Sequence, residues 1–160
     1  MNRSIAILPD SVTELCLVRL GLQVRRLSAL WYVAALGRAI DRSAAEAIAT
    51  GAGLLRSERF SMGRRHFGAL QYWRSFDELD AWSHRTPHLD WWRGAVERMR
   101  TRGDIGVYHE TFLVARDRLE SISLNCDPAG LAAFGTRAEP TGPQTTSRGR
   151  LGRFPDRNVS

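Results

Sequence analysis

Hydrophobic and polar residues alternate with a period of two in the segment TELCLVRLGLQVRR, residues 13–26. One side of this pattern is wholly apolar and consists of Cys16, Val18, Leu20, Leu22 and Val24. Successive side chains of a strand point to opposite faces, so the segment predicts a β-strand with one apolar and one mixed face.

After Leu27 the apolar residues follow helical spacing. The periodic positions are Leu30, Trp31, Ala34, Ala35, Arg38, Ala39, Ala44, Ala45 and Ile48. We expect Ser28 to cap this helix and Gly51 and Gly53 to end it. The segments LLRSERFSMG and HFGALQYWRS then predict two strands, which a short turn at Gly63 joins into an antiparallel hairpin.

A second helical segment begins at SFDELDAW, where Ser75 and Glu78 have the spacing of a capping box. The segment TPHLDWW restarts the helix, with Thr86 as the cap and Pro87 at the first helical position. Gly103 ends it.

The segment from Ile105 to Ala115 predicts a fourth strand, LESISLNC a short additional strand, and PAGLAAFG a helical turn. The resulting order is β-α-β-β-α-β, which is an α+β ferredoxin-like unit with an antiparallel sheet. We assign residues 1–136 to this domain and residues 137–160 to a flexible tail rich in Arg, Gly and Pro. The sheet face without helices is partly apolar, so we expect a homodimer in which two sheets face each other as a dimeric α/β barrel.

The chain has 160 residues and a net charge of +6, and all 23 of its Lys and Arg residues are Arg. The residues from Gly135 onward carry half of this charge, which leaves the body close to balance and argues against nucleic-acid binding. Cys16 and Cys126 are too few and too far apart for a metal ribbon, and we expect reduced thiols in the cytoplasm. The longest apolar run, Leu27 to Gly37, is about half of a membrane span, which argues against a membrane partner.

Three histidines are considered as candidates for chemistry. His84 and His88 are four residues apart, but Pro87 between them separates their faces and argues against a metal site. His88 alone then faces a pocket, as a haem ligand or a polar contact, or is simply solvated. His109 has a side chain that moves protons near neutral pH, although a buried structural role is equally open.

Aromatic residues surround these histidines in the sequence. Trp91 and Trp92 point about 100° apart on a helix, so one is expected on the sheet and the other at a cleft or subunit boundary. Gln71 and Trp73 share one strand face. Tyr108 lies on the face opposite His109. No phosphate loop or dinucleotide motif is present, so flavin, nicotinamide and ATP are not indicated.

The segments LQYWRSFDELDAW, TPHLDWWR, GVYHETF and DPAGLAAFG together resemble a bacterial and fungal group of predicted monooxygenases in the dimeric α/β-barrel superfamily. The segment GLQVRRL is similar to that family's Gly-Met-Arg-x-Asn-Arg-Leu, except that Gln23 replaces Arg and Arg25 replaces Asn. The resemblance covers about Leu15 to Phe134. It implies a ferredoxin-like homodimer with a pocket between helices and sheet, and a natural-product substrate of secondary metabolism such as antibiotic biosynthesis.

The leading hypothesis is a monooxygenase that acts on a hydrophobic polyketide or aromatic substrate without any cofactor. His109 would be the catalytic base, and the substrate would be held by Gln23, Gln71, Trp73, Trp91, Tyr108 and His88. Alternatives are a haem-binding dehydratase or oxygenase with His88 or His109 as the iron ligand, a polyketide cyclase, and a non-catalytic binding or scaffold protein.

Overall fold

The computed structural model describes residues 2–86 and 88–152. The chain divides into two compact units. One comprises residues 15–113, and the other is built from the N-terminal residues up to Glu14 and the residues from Val114 onward.

The unit of residues 15–113 has the predicted β-α-β-β-α-β order, with the second helical segment divided in two. Its elements are β2 (Glu14–Val24), α1 (Leu30–Ala49), β3 (Leu54–Ser61), β4 (His66–Trp73), α2 (Phe76–Ser83), α3 (His88–Arg102) and β5 (Ile105–Ala115). The sheet order is β3-β4-β2-β5. The α+β ferredoxin-like class predicted from the sequence is therefore confirmed.

Strand pairing fixes which residues share a sheet face. In the antiparallel pair of β2 and β4, Cys16 lies opposite Trp73 and Gln23 lies opposite His66. The alternating apolar side of β2 (Cys16, Val18, Leu20, Leu22 and Val24) is buried against the helices. We call this side the helix face of the sheet and the other side the open face.

The turn and cap residues predicted from the sequence agree with the structure at most ends of helices and strands in this unit. Gly63 has a φ of 85° in the turn between β3 and β4, and Gly103 has a φ of 58° directly after α3, values that glycine adopts without steric cost. The Ser75 side chain accepts the backbone N–H of Glu78 at 3.2 Å, which confirms the predicted cap of α2.

One predicted cap is wrong. Ser28 lies inside a short 3₁₀ turn, Leu27–Ala29, and the N-cap of α1 is Ala29, which makes no capping hydrogen bond with a side chain. The tight turn brings the chain into α1 without a polar cap. The predicted cap at Thr86 depends on Pro87, which lies outside the described residues.

The second unit holds a small sheet, of which the sequence predicted only the short strand in LESISLNC. Its strands are β1 (Arg3–Ile7), β6 (Ser123–Leu124) and β7 (Thr136–Ala138), in the order β6-β1-β7. A short helix, α4 (Ser147–Arg150), follows. The Arg150 side chain donates to Glu120 at 2.7 Å.

Regular structure continues beyond residue 136, where the sequence predicted that the domain ends. Ala138 pairs with Ile5 in the small sheet, and Thr146 caps α4 by accepting the Gly149 N–H at 3.0 Å. Residues 136–138 thus form a strand on the edge of β1 and residues 147–150 a short helix, where a loose tail was expected. Residues 153–160 of the predicted tail lie outside the described residues.

Candidate functional site

A cavity of about 360 Å³ lies on the helix face of the sheet, within the unit of residues 15–113. We call it the histidine cavity. It is lined by Val18, Leu20, Ile40, Ser43, Ala44, Gln71, Trp73, Phe76, Leu79, Asp80, Trp82, Ser83, His84, His88, Leu89, Trp91, Trp92 and His109. A mostly apolar wall with a few polar groups is typical of a site for a small organic molecule.

His88 is the first residue of α3 and contributes an imidazole to this cavity. Its Nδ1 lies 3.0 Å from the backbone oxygen of Ser83, and its ring packs edge-on against Trp91 at 4.5 Å between centroids. A carbonyl oxygen only accepts, so Nδ1 carries the proton and Nε2 keeps its lone pair. No hydrogen bond to Nε2 is found among residues 2–86 and 88–152.

Burial lowers the pKa of His88 below its ordinary 6.5, against the smaller opposing effect of the Ser83 carbonyl. Charge repulsion from His109 and His84 lowers this pKa further. The ring is therefore neutral at pH 7.

His109 reaches the same cavity from β5. Its Nε2 lies 3.4 Å from the Thr111 hydroxyl, a long contact that holds the ring only weakly. Burial lowers the pKa of His109 below 6.5, although the side chain retains considerable solvent exposure. The ring therefore lies at the rim of the cavity, partly surrounded by protein and still reachable by water. His109 is thus a neutral base at pH 7 with access to a ligand.

Gln71 and Trp73 line the cavity together, as their shared strand face predicted. The indole Nε1 of Trp73 donates to Oε1 of Gln71 at 3.1 Å. This bond leaves the Gln71 amide N–H groups as donors for a ligand. Trp73 is only 1% exposed and also packs in the core beside Cys16 and Leu54, so it holds the wall in place.

The expectation that Trp91 and Trp92 face different surroundings is wrong, because both line the histidine cavity. Their rings meet edge-on at 6.2 Å. The cavity extends around the start of α3, so that two side chains pointing about 100° apart both reach it. The Nε1 of Trp91 is buried and has no hydrogen-bond partner within the described part of the chain. A buried N–H without a partner is costly, and a ligand oxygen would satisfy it.

Two of the predicted contact residues, Gln23 and Tyr108, lie away from this cavity. The pleat places both on the open face, because Gln23 alternates with Val24 and Tyr108 alternates with His109. Gln23 lines an open depression beside Arg25 and His66. The structure therefore does not bring them into the same cavity as His109.

Tyr108 belongs to a polar and aromatic cluster on the open face. Its ring covers Gly21, where a Cβ would overlap the ring, and its hydroxyl lies 3.0 Å from Nε2 of His66. The Arg19 guanidinium is 5.5 Å from the centre of the Tyr108 ring, and its NH1 lies 3.3 Å from Glu110. The open face is thus less apolar than the sequence suggested.

Sequence reasoning missed the contribution of α2 to the cavity. Phe76, Leu79, Asp80 and Ser83 all line it and recur at helical spacing, which is the signal that could have identified them. It also missed Ser43, a buried serine whose hydroxyl accepts the indole N–H of Trp82 at 3.2 Å.

Within the described residues, no group of three or more His, Cys, Asp or Glu side chains is arranged to hold a metal ion. None of the helices found there is long and apolar enough to cross a membrane.

The fold and the cavity together define a ferredoxin-like α+β protein with room for a small molecule. The chain belongs to the monooxygenase af470-like family, whose match covers residues 15–131. None of the curated proteins matches the sequence.

Solved structures similar to this chain include two aldoxime dehydratases. One has a TM-score of 0.61 at 16% identity and is aligned over 86% of this chain and 39% of its own. The other, OxdRE in complex with butyraldoxime, has a TM-score of 0.57 at 18% identity, over 85% of this chain and 38% of its own. The chain thus spans well under half the length of these proteins, and the likeness establishes a shared fold.

SnoaB, a cofactor-independent oxygenase from Streptomyces nogalater, is also similar, with a TM-score of 0.43 at 16% identity over 62% of this chain and 91% of its own.

Proposed function

We propose that this protein is a monooxygenase that binds a hydrophobic, polyketide-like or aromatic molecule in the histidine cavity and uses His109 as a general base. The observation that carries the proposal is the convergence of two neutral imidazoles, His88 and His109, in one aromatic-walled cavity. Membership of a monooxygenase family supports the same reaction class. Two reactions are therefore compared: dehydration, which the aldoxime dehydratases are named for, and cofactor-independent oxygenation, which SnoaB is named for.

The reaction requires no flavin if the substrate is itself electron-rich. His109 would take a proton from an activated methylene, and the resulting anion would give its electrons to dioxygen. A methylene flanked by two rings would become a carbonyl, with one oxygen atom retained and the other released as water. The amide of Gln71 and the indole N–H of Trp91 can donate hydrogen bonds to a substrate oxygen and hold the anion.

The test is oxygen uptake with a hydroxyanthrone, which contains such a methylene. His109→Ala should lower the rate by about 10²-fold or more, as expected for loss of a general base. His66→Gln is the matched control, because His66 lies on the open face away from the cavity. An unchanged rate in a folded His109→Ala variant would remove His109 from the mechanism.

A haem protein is the second candidate, and one observation favours it. Haem-ligating histidines characteristically donate their second ring nitrogen to a carbonyl or carboxylate, and His88 has this arrangement through Ser83. The free Nε2 of a neutral imidazole and an apolar, aromatic wall fit an iron porphyrin. His88 would hold the iron, which when bound would supply a coordination position for activating a small ligand. His109 would then hold or move a proton beside the bound substrate.

Haem titration separates the two candidates. A Soret band that forms on adding haem, persists in His109→Ala and is lost in His88→Ala would establish the haem protein. No band in the wild-type protein, together with oxygen uptake by the metal-free protein, would establish the cofactor-independent enzyme.

The proposal includes a homodimer formed through the open face. Phe112, on the open face of β5, is 51% exposed, and the proposed interface would bury it. Phe112→Arg should therefore convert a dimer to a monomer in sedimentation. Wild-type protein that sediments as a monomer would contradict this part of the proposal.

A further inference from the structure

A second, larger cavity of about 770 Å³ lies along the other side of α1, also within the unit of residues 15–113. We call it the α1 groove, and it is bounded by α1 on one side and by β3 and β4 on the other. Trp31 at its edge is 84% exposed and Leu30 is 38% exposed, an unusual amount of apolar surface for one helical turn.

The groove exists because small residues stand where larger ones would fill the space. Ala34 and Gly37 on α1 face Ala69 on β4 across it. A Cβ built at Gly37 would meet nothing within 4 Å. Glycine inside a helix is destabilising relative to alanine, so its presence here costs stability while keeping the groove open.

The groove and the histidine cavity share a wall. Ile40, only 5% exposed, lines both. Along β4, Gln71 and Trp73 line the histidine cavity, while Phe67 and Ala69 line the groove. The two cavities therefore follow one another along the same sheet face. Phe67 and Trp73 are six positions apart along the strand, a span of about 20 Å.

The groove also carries one cation that could meet an acidic group. Arg59 forms an ion pair with Asp41, with 2.8 Å between its Nε and the carboxylate. Arg38 lines the groove and forms no ion pair with any residue in the described part of the chain.

We infer that the α1 groove is a second subsite for the same ligand, and that this ligand is an elongated, mainly apolar molecule with an acidic group. Its reacting end occupies the histidine cavity, its apolar body passes Ile40 into the groove, and its acid faces Arg38. This inference rests on the proposed function only in taking the histidine cavity as the reacting end.

The test measures binding, without turnover, of straight-chain carboxylic acids of six to sixteen carbons by titration calorimetry. Each methylene that enters the groove should raise affinity about four-fold. Because the acid faces Arg38 inside the groove, Gly37→Leu should weaken the short and the long acids alike, at least ten-fold, while changing the affinity for a hydroxyanthrone in the histidine cavity less than two-fold. Gly37→Ala is the matched control, because it adds helix propensity and little volume.

The ligand's acid is tested separately. Arg38→Gln should weaken the long acids and leave the corresponding alcohols unchanged. No loss for the acids in Gly37→Leu, or an equal loss for the hydroxyanthrone, would overturn the inference.

Two further outcomes are decisive. A wild-type dimer that Gly37→Leu converts to a monomer would show that a second copy of the chain covers the groove, and would overturn the inference. His109→Ala should leave the dependence on chain length intact, since His109 lies outside the groove. Failure of the proposed function would appear as absent oxygen uptake with the dependence of affinity on chain length intact. Failure of the subsite would appear as loss of that dependence.

Discussion

Ser43 holds one wall of the histidine cavity, and replacing it tests how that wall is built. Its hydroxyl accepts the indole N–H of Trp82 at 3.2 Å, and both residues are 4% exposed. Ser43→Ala leaves this N–H buried without an acceptor, which costs about 1–3 kcal/mol. Alanine is a better helix former than serine by about 0.5 kcal/mol, which offsets part of the loss.

The expected net loss is therefore about 1–2 kcal/mol. For a chain of 160 residues each kcal/mol lowers the thermal midpoint by about 2–4 °C, so the midpoint should fall by about 2–8 °C. Urea unfolding followed by near-ultraviolet circular dichroism measures the same free energy. The slope of the free energy of unfolding against urea concentration should not change.

The second arm of the experiment introduces Trp82→Phe, which removes the N–H. In that background Ser43→Ala should cost nothing, or should stabilise slightly through helix propensity. The coupling free energy between the two positions should therefore reach about 1 kcal/mol or more. A Ser43→Ala substitution that costs the same in both backgrounds would refute the hydrogen bond as the source of the effect.

Three more predictions concern the sheet, a helix cap and the histidines. Gly21→Ala should cost about 1–3 kcal/mol because its methyl group meets the Tyr108 ring, and Tyr108→Ala should remove most of that cost in thermal unfolding. Ser75→Ala should cost about 1 kcal/mol in urea unfolding through loss of the cap of α2. Burial lowers the pKa of His88 and His109 below 6.5, so the unfolded chain takes up protons first as the pH falls. The stability that the two neutral rings contribute should be fully present above pH 6.5 and be lost as the pH falls below it. Alanine at either position should make the free energy of unfolding depend less on pH.

Much of the fold could be predicted because its signals are local. The alternation in β2, the turn at Gly63 and the spacing of Ser75 and Glu78 each depend on a few neighbouring residues, and each agrees with the structure. The small sheet of the second unit could not be predicted in this way. Its pairing joins Ile5 to Ala138, and β7 has only three residues, too few for a periodic pattern.

The candidate site was predicted in part for a related reason. Alternation separates the residues of a strand into two faces, but it does not say which face the helices cover. His109, Gln71 and Trp73 fall on the helix face, whereas Tyr108 falls on the open face and contacts His66. The prediction that Tyr108 and His109 share one site conflicts with the alternation of the strand, which places adjacent residues on opposite faces.

The arrangement of the two faces bears on how the protein can work. On the open face two polar pairs are satisfied within the protein, Arg19 with Glu110 and Tyr108 with His66. The helix face instead leaves donors and acceptors without protein partners, namely Nε2 of His88 and Nε1 of Trp91. Buried polar groups are normally satisfied, and a ligand in the histidine cavity would supply the contacts that these two lack. These unpartnered groups support the proposal that a ligand binds on the helix face, and the pairs on the open face leave that face suited to meeting another protein surface.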